Sequence, residues 1–259
     1  STYYGCRKRQ DQKALFTFGG KIAGYCRLYV AERLEKMWSE LGSLWQAIFY
    51  PQRCPECKRI VNGQALLCTD CRTKLQNIRF LHTGTFGGKH LAGACLLYAY
   101  EGGVKEALHG VKYLQRKGLL ARLAAEVKNS ISGKKLAELW RWQAIMVVPI
   151  PTEPTRRKDR GYDIPREIFL PWCRQEGLLW QETLRRRAGS RPQYGLDKKA
   201  RKDNVAESFQ VSGNVQGKTV LLVDDIFTTG ATMEEAARLL KKAGAQVVWG
   251  LAFSGGRDM

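Results

Sequence analysis

The run from Thr219 to Thr232, TVLLVDDIFTTGAT, constrains this chain more than any other stretch. Its first five residues, Thr219 to Val223, are all apolar or β-branched. Such a run, bounded by turn residues, fits a strand covered on both faces, as parallel sheets require. Asp224 and Asp225 follow where that strand should end. Thr228, Thr229, Gly230, Ala231 and Thr232 then lead into a helical pattern from Met233 to Ala243. Hydroxyls, a glycine and closely spaced N–H groups at a helix N-terminus make a phosphate cradle at the carboxyl end of a sheet strand. Ionised carboxylates only accept hydrogen bonds, so the acids suit the vicinal hydroxyls of a ribose. A plain helix cap would need one acid at most, because two like charges side by side cost energy unless a ligand or cation uses them. A ribose 5-phosphate satisfies both halves.

The rest of the chain alternates. His90 to Tyr100 reads as one or two strands, punctuated by Gly102-Gly103. Val104, Ala107, Leu108, Val111 and Leu114 recur at helical spacing, and Leu119, Leu120, Leu123, Ala124 and Val127 repeat the pattern. Ala144 to Ile150 is an apolar strand stopped by Pro149-Ile150-Pro151, and Gln246 to Phe253 is another. Gly244 is placed to close the helix between the last two strands. This order predicts an α/β fold, a mostly parallel sheet with helices on both faces. Arg72 to Lys89 reads as a linker, and Tyr29 to Leu44 as a helix.

Four of the eight cysteines fall as Cys54-x2-Cys57 and Cys68-x2-Cys71, the spacing of a tetrahedral zinc site. Asn62-Gly63 supplies the turn between the pairs. All four positions being protein ligands, the zinc is expected to staple the fold and not to catalyse. Two redox pairs or disulfides are the rival reading, which an export signal would favour. The N-terminus lacks the basic-then-apolar order of such a signal, and no apolar run approaches the ~20 residues that span a bilayer. A cytoplasmic location is the expectation. Cys6, Cys26, Cys95 and Cys173 show no ligand spacing and read as small apolar residues.

With 44% hydrophobic and 26% charged residues the chain is globular, and its net charge of +19 attracts polyanions. From Arg185 to Lys202 eight basic residues face one acid, Asp197, which fits either a solvated loop or phosphate contact. Pro149 to Asp163 carries Arg156, Arg157, Lys158 and Arg160 before Gly161, a basic loop at a strand's carboxyl end. Arginine grips a pyrophosphate bidentately, so this loop is a second anion candidate. The polar stretch from Arg191 to Phe209 is long enough to act as a lid. Trp172, Trp180 and Tyr194 lie near the basic runs as candidate stacking residues, with burial in a core as their more ordinary fate.

The 219–232 run resembles the phosphoribosyl-pyrophosphate (PRPP) motif of the type I phosphoribosyltransferases. Over residues 43 to 255 the chain further resembles the ComF family of bacterial competence proteins. The matching pieces are Phe49-Tyr50-Pro51 before the four cysteines, Pro149-Ile150-Pro151, Arg160-Gly161-Tyr162-Asp163, Arg191 with Gln193, Arg201 with Asn204-Val205 and Phe209, and Val223-Asp224-Asp225. Asp163 stands where that family usually has Asn, and Pro165 and Pro171 interrupt what it has as a plain helix.

Residues 1–37 have no counterpart in that family, and 1–44 is expected to be an N-terminal extension; the resemblance implies a four-cysteine zinc-binding element over 45–84 and a phosphoribosyltransferase-like domain over 85–259. It implies that Asp224 and Asp225 bind the ribose hydroxyls and carry the catalysis. Thr228, Thr229, Gly230, Ala231 and Thr232 would bind the 5-phosphate, with Mg2+ accompanying PRPP. Arg157, Arg160, Gly161, Arg191 and Arg201 are the pyrophosphate and lid candidates. Single-stranded DNA and a ComFA-type helicase are the implied partners, in DNA uptake. Two other readings stay open. One is a working transferase moving ribose 5-phosphate to a nucleobase or other nitrogen acceptor, although Thr228 stands where purine-using relatives place an acidic base. The other is a PRPP-sensing regulator, which the absence of a separate DNA-reading module disfavours.

Overall fold

The strands are β1 (Gln76–His82), β2 (Gly93–Ala99), β3 (Met146–Pro149), β4 (Leu179–Trp180), β5 (Leu184–Arg186), β6 (Phe209–Val211), β7 (Thr219–Phe227) and β8 (Val247–Gly255). Six of them form one sheet in the order β1-β2-β8-β7-β3-β4, and β5 and β6 pair separately. Every pairing in the large sheet is parallel except β1 with β2. The helices are α1 (Thr69–Leu75), α2 (Thr83–Phe86), α3 (Gly102–Tyr113), α4 (Gly118–Ile131), α5 (Pro154–Arg160), α6 (Ile164–Glu176) and α7 (Ala231–Lys242). The computed structural model describes residues 37–38, 45, 51–131, 145–186 and 209–257. Residues 1–52 and 53–259 make two units, and the architecture given is that of the second. The expected helix from Tyr29 to Leu44 lies, but for two residues, outside the described ones. So do Cys6, Cys26 and the stretch 187–208 with Arg191, Tyr194 and Arg201.

The apolar run of β7 buries both faces, as its composition requires. Leu221 and Val223 enter one core with Val104 and Leu108 of α3, Leu123 of α4 and Trp172 of α6. Val220 and Leu222 enter the other with Met233, Ala236 and Leu240 of α7. Each such leucine contributes about 1.5–3 kcal/mol by leaving water. Helices therefore cover both faces of a mostly parallel sheet, the α/β class expected. Gly244, at φ 96°, closes α7. Cys95 and Cys173 are buried apolar residues.

Four readings need correction. Arg72 to Lys89 is no linker: it holds most of α1, then β1 and α2. β1 is an edge strand whose polar and apolar residues are mostly half-buried, so it lacks the apolar run that marks β7. The basic segment before Gly161 is a short helix, α5, with Pro154 in its first turn and Gly161 closing it at φ 77°. The prolines that follow do not break the path. Pro165 lies in the first turn of α6, where its missing N–H costs nothing, and Asp163 caps that helix by accepting from Arg166 N. Pro171 takes an exposed position inside α6, which runs on past it to Glu176. Trp172 is fully buried, so it is not free to stack on a base, and Trp180 packs partly buried against the same core.

The four-cysteine element is joined to the sheet domain by buried polar groups on α4. Arg122 donates to the carbonyls of Arg53, Ala65 and Leu66 at 2.9, 3.0 and 3.1 Å. Glu126, with no exposed surface, accepts from the N–H groups of Leu66 and Leu67, from the Tyr98 hydroxyl and twice from Arg72. Glu56, between the first two cysteines, accepts from Gly103 N at 2.6 Å and so caps α3, whose own N-cap residue Glu101 makes no side-chain capping bond and pairs instead with Arg257. That hydrogen bond, with Lys74 beside it, holds the Glu56 carboxyl below the usual range. Glycine is required at 103, because a Cβ there would lie 2.5 Å from Glu56 N.

Candidate functional site

β3 stops pairing with β7 at Pro149 and Val223, while β8 continues alongside β7 to Phe227. The acids therefore do not stand after the strand, as expected. They are its sixth and seventh residues, extended along β8 but beyond the reach of β3. Asp225 is buried and Asp224 is half-buried; the Asp224 Oδ1 accepts from Asp225 N at 2.8 Å. Burial first, and then repulsion from Asp225, push the Asp224 carboxyl well above the ordinary range.

Sequence reasoning passed over one residue of this site. Lys112, near the end of α3, places its Nζ 2.8 Å from Asp225 Oδ2, with four-fifths of its side chain buried. Burial works against the ammonium, but the Asp225 carboxylate outweighs it and holds the pKa above the ordinary lysine value. A lone lysine on an amphipathic helix reads as a solvated residue, so nothing in the helical pattern marks it. The Tyr162 hydroxyl donates to Val111 O at 2.6 Å, tying the Arg160-Gly161-Tyr162 segment to the same end of α3.

The turn after β7 has the form a phosphate cradle needs. Gly230 precedes α7 at φ 75°, in the left-handed region, and makes no side-chain cap. A Cβ at this position would lie 2.6 Å from the Phe227 ring, which packs edge-on against Phe86 beneath the turn. Among the described residues, no group accepts from the N–H of Thr228, Thr229 or Gly230, and Ala231 N reaches only the Thr229 hydroxyl at 3.4 Å. Open amides at a helix N-terminus carry partial positive charge.

A cavity of about 430 Å3 opens beyond β3, lined by Thr152, Arg157, Asp163, Arg166, Arg185 and Arg186 among others. Arg166 pairs with Glu182, but Arg186 leaves its buried Nε without a partner and lies within range of the Asp224 charge. Burial holds the Arg186 guanidinium below its ordinary pKa. The pyrophosphate candidates thus divide. Arg157 lines this cavity, while Arg160 sits 6.0 Å from the Tyr113 ring at the end of α3, next to Gly161.

The four cysteines converge. The sulfurs of Cys54, Cys57, Cys68 and Cys71 all lie within 4.8 Å of one another, and Cys57 and Cys68 are 3.6 Å apart. A tetrahedral zinc with bonds of about 2.3 Å sets its sulfurs about 3.8 Å apart, so the set fits the metal. The first pair forms a tight knuckle, with Lys58 at φ 63° and Cys54 N bonded to Arg59 O. The second is no knuckle: Cys68 precedes α1 and Cys71 lies in its first turn, where burial first of all pushes the Cys71 thiol up to about 12. Arg59, donating to Cys57, lowers that thiol to about 6. Stripping the metal with a chelator should remove several degrees of thermal stability and free four thiols to a colorimetric reagent. An unchanged melting curve with the metal gone would exclude a structural zinc.

Residues 175–252 match the phosphoribosyl transferase domain family, and residues 45–81 match the double zinc ribbon domain family. The chain is 28% identical over 148 residues to DNA utilization protein YhgH of Salmonella typhimurium, covering 54% of this chain and 62% of that one. It is 32% identical over 103 residues to the protein of the same name from Escherichia coli, covering 39% and 45%. Over 57 residues it is 51% identical to the ribose-phosphate pyrophosphokinase of Synechococcus elongatus, covering 22% and 17%. The matches thus span less than two thirds of these relatives' lengths. No helix among the described residues is long and apolar enough to cross a membrane. A double zinc ribbon joined to a phosphoribosyl transferase domain, in a chain related to the YhgH proteins, is the organisation of the ComF family.

Proposed function

We propose that the sheet domain binds PRPP and that the chain serves DNA utilization as a ComFC-like competence protein of the cytoplasm, with single-stranded DNA and a ComFA-type helicase as partners. The open cradle supports the ligand half: unpartnered amides at Thr228, Thr229 and Gly230 stand a few residues from two adjoining carboxylates. In this reading Thr228 to Thr232 hold the 5-phosphate, and Asp224 and Asp225 hold the ribose hydroxyls. The cavity takes the pyrophosphate against Arg157 and Arg186, while Arg160 and Gly161, beside the end of α3, stay candidates from outside its lining. Arg191 and Arg201, outside the described residues, remain the lid candidates of this reading. Asp224 and Asp225 are hard oxygen donors of the kind Mg2+ accepts alongside phosphate oxygens; when bound, that ion neutralises charge on the pyrophosphate.

The DNA half draws support from the name of the YhgH relatives and from the net charge of +19. Affinity for a single-stranded oligonucleotide, followed by fluorescence anisotropy, should fall linearly with the logarithm of salt concentration. Arg185→Ala with Arg186→Ala and Arg187→Ala should flatten that slope by about two, at roughly 0.7 for each phosphate left without its arginine. A salt-insensitive affinity would dismiss nucleic acid as a partner.

The volume of the cavity favours a second reading, turnover as a phosphoribosyltransferase. About 430 Å3 exceeds what a pyrophosphate fills and leaves room for a small nitrogen acceptor. Asp224 and Asp225 would then position the ribose while the arginines offset the charge of departing pyrophosphate. Its signature is pyrophosphate released from PRPP only when an acceptor is added.

A further inference from the structure

Asp224 and Asp225 stand side by side on one strand, and with Asp225 almost wholly buried the pair calls for a positive charge in contact with it. Among the described residues the only ion pair to either acid is that of Lys112 with Asp225, at 2.8 Å. Lys112 is also held from both ends of its helix. Glu56 caps α3 at Gly103, and the Tyr162 hydroxyl takes up Val111 O, the carbonyl just before Lys112. Val104, Leu108 and Val111 are buried in the core, so the helix cannot easily turn its lysine away.

We propose that Lys112 is a positioning residue of the sugar-phosphate site, supplying from the chain itself the positive charge that a divalent cation would otherwise bring to the acidic pair. The inference rests on the ribose phosphate reading of Asp224, Asp225 and the Thr228–Thr232 turn. With one Asp225 oxygen engaged by the ammonium, the other stays free to accept from a ribose hydroxyl, and the carboxylate is fixed in orientation before ligand arrives. A ribose monophosphate then binds without metal. Only a ligand that also carries pyrophosphate gains from Mg2+, because its extra charge lies beyond the reach of Lys112.

The probe is ribose 5-phosphate, titrated calorimetrically into the full chain in EDTA and in Mg2+. Wild-type affinity should differ by less than about threefold between the two conditions. Lys112→Met, which keeps the length of the side chain, should lose at least about tenfold in EDTA and recover most of it in Mg2+, whereas Lys112→Arg should bind in both. A purely structural lysine would weaken binding equally with and without metal, and that result overturns the proposal. So does a wild type that binds only with Mg2+, a test that needs no variant to fold. Unchanged behaviour of Lys112→Met refutes the role of the lysine but leaves the site standing. A wild type that binds ribose 5-phosphate in neither condition refutes the site itself, and the inference with it.

Discussion

Replacing Glu126 by alanine should lower the melting temperature by about 6–20 °C, with the full-length chain as the sample. The carboxylate has no exposed surface and accepts from Leu66 N, Leu67 N, Tyr98 and the Arg72 guanidinium. Its removal leaves two main-chain amides and the O–H of the buried Tyr98 without an acceptor, although the phenol oxygen still accepts from Ser130, and strands Arg72, whose side chain is 28% exposed. Breaking a buried ion pair by deleting one partner costs about 3–5 kcal/mol, and each kcal/mol is about 2–4 °C in a chain of this size. The exposed Lys58–Glu106 pair, 60% and 48% exposed, is the control: Glu106→Ala should cost less than about 1 kcal/mol. A Glu126→Ala melting curve that overlays the wild type would show that the double zinc ribbon does not depend on this contact.

Glu126 also shows where the sequence stopped being informative. Leu119, Leu120, Leu123, Ala124 and Val127 announce a helix by spacing, and α4 is there. Arg122 and Glu126, four apart on the opposite side, have the look of a solvent-facing pair, yet both are buried because the cysteine element packs on that side. The same limit hid Lys112, whose burial depends on a partner more than a hundred residues away. By contrast, β7, the turn and α7 were legible because the whole unit is contiguous: an apolar run sets the strand, the glycine sets the left-handed turn, and the helix follows. The cysteines were legible for the same reason, their spacing being the geometry. β1 was not, since an edge strand half open to water has no reason to carry an apolar run. Of the cavity only Arg157 was legible, as part of a basic run after a strand, because Arg166 and Arg186 join it there only through the order of β3 and β4 and the β5–β6 pair.

The second large effect belongs to the acids. Asp224→Asn with Asp225→Asn keeps the shape of both side chains and removes their charge. An amide presents one acceptor oxygen where a carboxylate presents two, and a donor NH2 would face the ribose hydroxyls. The fold should survive the change at some cost in melting temperature. Burial and repulsion already disfavour charge on Asp224, so neutralising it relieves part of that strain, while Asp225 gives up its pair with Lys112. Ligand binding should not survive it. At a PRPP concentration 100 times its Kd, with Mg2+ present, wild-type protein should gain about 2.7 kcal/mol, or roughly 5–11 °C. The double variant should melt at one temperature with or without PRPP.

That comparison is most direct as a calorimetric titration of PRPP and Mg2+ into the two proteins. One saturating site in the wild type, absent in Asp224→Asn/Asp225→Asn, is the predicted result. A wild type that releases no binding heat and shows no melting shift, or a double variant that binds PRPP as tightly as the wild type, would contradict a sugar phosphate held by the β7 acids and the turn that follows them.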